Sequence, residues 1–218
     1  MFGWTLLVSA ALAGTPVVAV GDELVVAAAE PGGGGTGGWV QSLADCLDER
    51  APDRWTVMDR GRTGETLRAV RGRVDELREL AGPTGVVVLG LGARELAVGV
   101  VSAELRAELE QLVGSLKVRP GPTILLVDPI APDLGGGEGD SQVVVDSAVS
   151  GLTRAFDQVA RESPAIQHVR LWSDWPRDGR ARRVLTERSR TLTARGHARV
   201  AAAVCDAIVE SAESDAVE

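Results

Sequence analysis

The chain has 218 residues, 44% of them hydrophobic, and a net charge of -8. That is enough for one domain with a substantial core. Its acidity argues against nucleic acid and anionic membrane surfaces as partners. Lys117 is the only lysine, and the arginines are scattered without forming a basic block.

Residues 1–14 form an apolar N-terminal segment. The run from Trp4 to Ala13 is too short to span a bilayer, and Ala11-Leu12-Ala13 has the small residues of a cleavage site. No Lys or Arg precedes the run, so two readings stay open. One is a signal peptide on an exported protein. The other is an extension packed on a cytoplasmic domain. A single domain is expected over residues 15–212, followed by an acidic tail at 213–218.

Val17-Val18-Ala19-Val20 reads as a strand buried on both faces, ending at Gly21. Asp22 and Glu23 follow at the carboxyl end, the edge where open α/β sheets bind ligands. The glycine-rich stretch from Glu30 to Gly38 lacks the G-K-[ST] ending of a phosphate loop. Trp39, Leu43, Cys46 and Leu47 recur at helical spacing. Trp55 to Met58 predicts a second strand. The turn from Asp59 to Thr66 then leads into a helix of roughly four turns ending near Gly82-Pro83.

Val86 to Leu89 predicts the third strand, with a loop from Gly90 to Glu95 at its carboxyl edge. A helix follows from about Ala103 to Leu116. Ile124 to Val127 predicts the fourth strand, ended by Asp128-Pro129. Pro132 to Ser141 reads as a loop, Val143 to Arg161 as a long helix, and Val169 to Trp172 as the fifth strand. His168 falls just before that strand. The last helix is expected from about Thr193 to Val209.

Strands alternating with helices imply a parallel sheet wrapped by helices on both faces. In the order 2-1-3-4-5 the first and last helices lie side by side. They carry Cys46 and Cys205, which lack the spacing of a metal site. Buried free thiols and a disulfide are the two readings, and the second would favour export. Asp22, Glu23, Glu65 and Glu95 gather near one sheet edge. Asp22 and Glu65 are better explained as helix caps than as ligands of a cation. Gly90-Leu91-Gly92 is an incomplete dinucleotide fingerprint after the third strand, so no cofactor is expected. Trp172 and Trp175 suit packing near the fifth strand's end, or the lining of a groove.

Taken together, several stretches resemble the sequence blocks of the SGNH (GDSL-type) ester hydrolases. They are Val17 to Asp22, Gly38 to Leu43, Gly61 to Thr66, Leu89 to Leu96 and Leu192 to His197. The resemblance implies a three-layer α/β/α, flavodoxin-like fold with a five-stranded parallel sheet of order 2-1-3-4-5. It also implies a site. Glu23 falls where the family has its nucleophilic serine, and Gly64 matches the glycine that gives a backbone N–H to the oxyanion. Arg94 falls at the oxyanion-hole asparagine. Arg188 and Thr191 fall at the aspartate and histidine that complete the triad.

A carboxylate attacking an ester has no proton for a base to take, and threonine is no base near neutral pH. The expectation is therefore a domain that has lost ester hydrolysis. It would keep a ligand-binding role, toward a small acyl or carbohydrate ligand, or a scaffold role. Glu23 could pair with Arg94 or Arg188 in the former site. The alternative is an active ester or acyl hydrolase with relocated catalytic groups. His197 is the candidate base for it, although its place in the last helix suits a core or N-terminal helix histidine.

Overall fold

In the computed structural model, the described residues are 14–21, 38–62, 64–97, 102–129, 140–176, 181, 186–187 and 191–214. The first strand, β1 (Thr15–Gly21), pairs in parallel with β2 (Trp55–Asp59) on one side and β3 (Val86–Gly90) on the other. Next come β4 (Thr123–Val127) and β5 (Ile166–Val169), so the sheet has five parallel strands in the order β2-β1-β3-β4-β5. Helices cover both faces. The expected α/β/α architecture and strand order are therefore those of the protein.

Residues 17–20 have no exposure at all. Each fully buried valine contributes on the order of 1.5–3 kcal/mol, which is why this strand reads as a continuous apolar run rather than an alternation. Val17 and Ala19 face the layer formed by α1 (Trp39–Arg50) and the last helix, α7 (Ala194–Ser214). Val18 and Val20 face α2 (Leu67–Arg71), α3 (Val74–Ala81) and α5 (Ser102–Leu116), with Leu152 and Phe156 of α6 (Asp140–Arg161).

Four local readings change. The single helix expected before Gly82 is two helices, α2 and α3, broken at Gly72-Arg73. Glycine weakens the helix there, and the Arg73 side chain is drawn inward to Glu65 and to the Arg60 carbonyl. The loop expected from Gly90 to Glu95 contains the start of a short helix, α4 (Ala93–Ala97). The fifth strand lies earlier than expected and includes His168. The amides of Leu171 and Trp172 donate to the Asp128 carboxylate at 2.9 Å each, which turns the chain out of the sheet. Trp172 starts a short 3-10 turn (Trp172–Asp174), and Trp172 and Trp175 are both buried as packing residues. Finally, α7 runs to Ser214, into the expected acidic tail. Residues 1–13 and most of the expected 132–141 loop lie outside the described residues. A small antiparallel pair, β6 (Thr186–Glu187) and β7 (Thr191–Leu192), precedes α7.

The two outer helices α1 and α7 are tied at three heights. Near the start of α1 the Trp39 amide donates to His197 Nδ1 at 3.0 Å. Cys46 and Cys205 form a disulfide with Cα atoms 6.4 Å apart. Arg50 donates to Asp206 at 2.7 Å, an exposed pair that adds little. Of the two readings of the cysteines, the structure has the bonded one. The bond joins residues 159 apart in sequence, and long loops lose the most unfolded-chain entropy when closed. Reduction is expected to cost about 2–5 kcal/mol of stability. Urea unfolding with and without reductant measures this, and a Cys46→Ala/Cys205→Ala variant should match the reduced protein.

Candidate functional site

The site lies at the carboxyl edge of the sheet, where the ends of β1 and β3 meet with Gly21 opposite Gly90. The chain leaving β2 folds along this edge. The Arg60 amide donates to the Ala19 carbonyl at 2.8 Å, and the Arg62 amide to the Gly21 carbonyl at 3.0 Å. Asp59 Oδ1 accepts the Gly61 amide at 2.9 Å and tightens the turn. Gly64 then takes a φ of 71°, a backbone conformation that suits glycine.

Glu65 is not the helix cap expected from sequence. That role belongs to Thr66, whose Oγ1 accepts the Ala69 amide at 3.2 Å. Glu65 turns inward and takes a two-pronged contact from Arg73, with Nε on Oε1 at 2.8 Å and Nη2 on Oε2 at 2.6 Å. Both side chains are almost fully enclosed. The geometry matches the fork of a guanidinium to a carboxylate.

Past β3, Gly92 has a φ of 109°, and a Cβ there would sit 2.4 Å from Leu152 Cδ2. The turn therefore needs glycine, and it leads directly into α4. Arg94 on α4 is exposed. Glu95 is buried, and its Oε1 accepts the Leu67 amide at 2.6 Å. One carboxylate thus links the loop after β3 to the start of the helix after β2. Burial pushes the Glu95 carboxyl above its ordinary range, with the Leu67 amide acting in the opposite direction. Its Oε2 is buried with no hydrogen-bond partner, as suits a carboxyl that resists ionising.

Past β4, Asp128 is fully enclosed. Besides the Leu171 and Trp172 amides, it meets His168 Nε2 at 2.7 Å through Oδ1. The other ring nitrogen of His168 faces Asp157 at 3.6 Å. His197 also has a packing role. Its Nδ1 accepts the Trp39 amide, so the proton of the neutral ring belongs on Nε2, and burial lowers its pKa.

The structure brings Gly64, Arg94, Glu65 and Glu95 to one edge. Glu23, Asp22 and Arg188 lie outside the described residues, so the expected pairing of Glu23 with an arginine and capping by Asp22 fall there too. Thr191 opens β7, its backbone opposite Glu187. Among the described residues, no group of three or more His, Cys, Asp or Glu could hold a metal ion, and no helix is long and apolar enough to cross a membrane. Sequence reading missed Arg73 and Asp128. Arg73 carried one available signal, its position beside a glycine within a helical pattern. For Asp128 the signal was its position at the end of a buried strand.

No family model and no curated protein sequence matches the chain. Its fold has clear counterparts among solved structures. A member of the lipolytic G-D-S-L family from Veillonella parvula superposes with a TM-score of 0.67 at 12% identity, covering 88% of this chain and 96% of that one. The psychrotrophic esterase EstA from Pseudoalteromonas sp. gives 0.65 at 20% identity, with 90% and 97% covered. A catalytic mutant of an acetylxylan esterase from Geobacillus stearothermophilus gives 0.65 at 19%, with 91% and 94% covered. The fold is therefore that of the SGNH, or GDSL-type, hydrolases.

Two outcomes follow from the buried carboxylates. Glu65→Ala strands the Arg73 charge in the interior and should cost about 3–5 kcal/mol in urea unfolding. Glu95 has its folded pKa raised above the unfolded value, so its contribution to stability is greatest at low pH. That contribution falls as pH rises through the folded value. Glu95→Gln keeps an acceptor for the Leu67 amide and carries no charge. Relative to the parent, it should gain stability between pH 4 and pH 8, as measured by urea midpoints at both.

Proposed function

We propose that this domain has lost ester hydrolysis and uses the cleft of the hydrolase fold to bind a small acyl or carbohydrate ligand, or to serve as a scaffold. One observation carries the reading. Strand β1 ends at Gly21, and the sequence there continues Asp22-Glu23. The position that should present a nucleophile holds a carboxylate. Attack by Glu23 on an ester would give an anhydride, and Glu23 offers no hydroxyl or thiol proton to a base. Arg94 in the asparagine position could still hold an anionic ligand atom. Arg188 and Thr191 supply neither the acid nor the base of a triad. In this reading Glu23 pairs with Arg94 or Arg188, neutralising the former nucleophile position.

The competing reading, an active hydrolase with relocated groups, rests on His197 as base. The ring lone pair at Nδ1 is already engaged by the Trp39 amide, which weighs against it. The ligand class draws on the fold's counterparts, which are described as lipolytic, as an esterase and as an acetylxylan esterase. The Cys46–Cys205 bond supports export over a reducing compartment.

Hydrolysis of a short-chain acyl ester tests this. The parent protein should show no turnover above buffer, and neither should Glu23→Ser alone. A variant combining Glu23→Ser, Arg94→Asn, Arg188→Asp and Thr191→His should gain measurable turnover. Clear activity in the parent would overturn the proposal.

A further inference from the structure

A groove of about 390 Å³ opens beside the edge strand β2, between the 59–62 turn and α3. Arg60, Arg62, Arg73 and Glu76 contribute to its walls, with Leu80 among them. The pairing inside it is incomplete. Glu65 takes Nε and Nη2 of Arg73, which leaves Nη1 over. That nitrogen is buried and has no hydrogen-bond partner. It faces Glu76 Oε1 at 3.6 Å, while Glu76 Oε2 faces Arg62 Nη2 at 3.7 Å. Both separations exceed hydrogen-bond range.

One carboxylate therefore stands between two guanidiniums and bonds well to neither. The two cations differ in kind. Arg73 is fixed, its side chain only 8% exposed, whereas Arg62 is 63% exposed and Glu76 42%. Glu76 sits on a flexible stem at the surface and can turn out to water at little cost. Asp59 also lines the groove, with its Oδ1 accepting the Gly61 amide.

We propose that Glu76 holds the place of an external oxyanion, the carboxylate or phosphate-monoester end of a small ligand. On binding, Glu76 swings to solvent. The ligand's oxygens then accept from Arg73 Nη1 and Arg62 Nη2, with Arg60 in the same wall. A free oxyanion can come within hydrogen-bond distance of both Arg73 Nη1 and Arg62 Nη2, which the tethered Glu76 carboxylate does not. The seat is independent of whether the neighbouring cleft retains any chemistry.

Titrating inorganic phosphate into the full chain by calorimetry tests it, using the parent, Glu76→Gln and Arg62→Gln. Binding in the parent should be weak. Glu76→Gln removes the resident charge and should tighten it about fivefold, and Arg62→Gln should weaken it by a similar factor. A parallel titration with acetate assigns the seat to carboxylates if acetate binds more tightly, and to phosphates if it does not. Equal phosphate affinity in the parent and Glu76→Gln would overturn the proposal, as would indifference to Arg62→Gln.

Discussion

Burial of carboxylates is the constraint on which the ligand edge of this domain depends. Among the described residues, the buried charged side chains include Glu65, Glu95 and Asp128, which follow β2, β3 and β4 respectively. A carboxylate taken out of water needs strong donors. Glu65 and Asp128 find them in a neighbouring segment, whereas Glu95 has a single amide and resists ionising. Glu65 takes the Arg73 fork, Glu95 takes an amide at the start of α2, and Asp128 takes two amides beyond β5. The edge is therefore stitched sideways, loop to loop, by single side chains. Removing one would free two segments at once.

The same constraint separates what the sequence made legible from what it hid. Buried strands announce themselves, because four apolar residues in a row between turn signals have few other uses. Alternation with amphipathic helices then gave the parallel sheet, and the resemblance of several blocks gave its order. The breaks were hidden because they arise from distant polar partners. Arg73 interrupts a helix in order to reach Glu65, eight residues earlier. Residues 171 and 172 leave the sheet because Asp128, more than forty residues away, accepts their amides. In sequence Glu65 looks like a local cap, since sequence alone shows the helix it precedes and not the cation that folds over it. At the carboxyl edge, Gly64 precedes α2 and Arg94 lies on α4, while Glu23 and Arg188 lie outside the described residues.

A hydrolase fold can outlast its chemistry because the two draw on different residues. The sheet needs valines, glycines at strained turns and enclosed carboxylates. Ester cleavage needs a nucleophile and a base at loop tips that contribute little to the core. Here Gly64 and Gly92 have positive φ values, and Glu95 bonds the adjoining segment at Leu67. In the function proposed above, the changed positions are Glu23, Arg188 and Thr191, none of them among these frame residues.

The Cys46–Cys205 bond also gives the chain an unusual covalent topology. It closes everything from the middle of α1 to the middle of α7 into a ring, leaving two free arms. The N-terminal arm carries β1, yet β1 lies between β2 and β3, both of which belong to the ring. The ring is thus split in space and filled by a strand from outside it. A cut in any loop of the ring would leave the pieces covalently joined. Withdrawal of the arm, by contrast, would part the edge strand β2 from β3, β4 and β5 with every covalent bond of the ring intact.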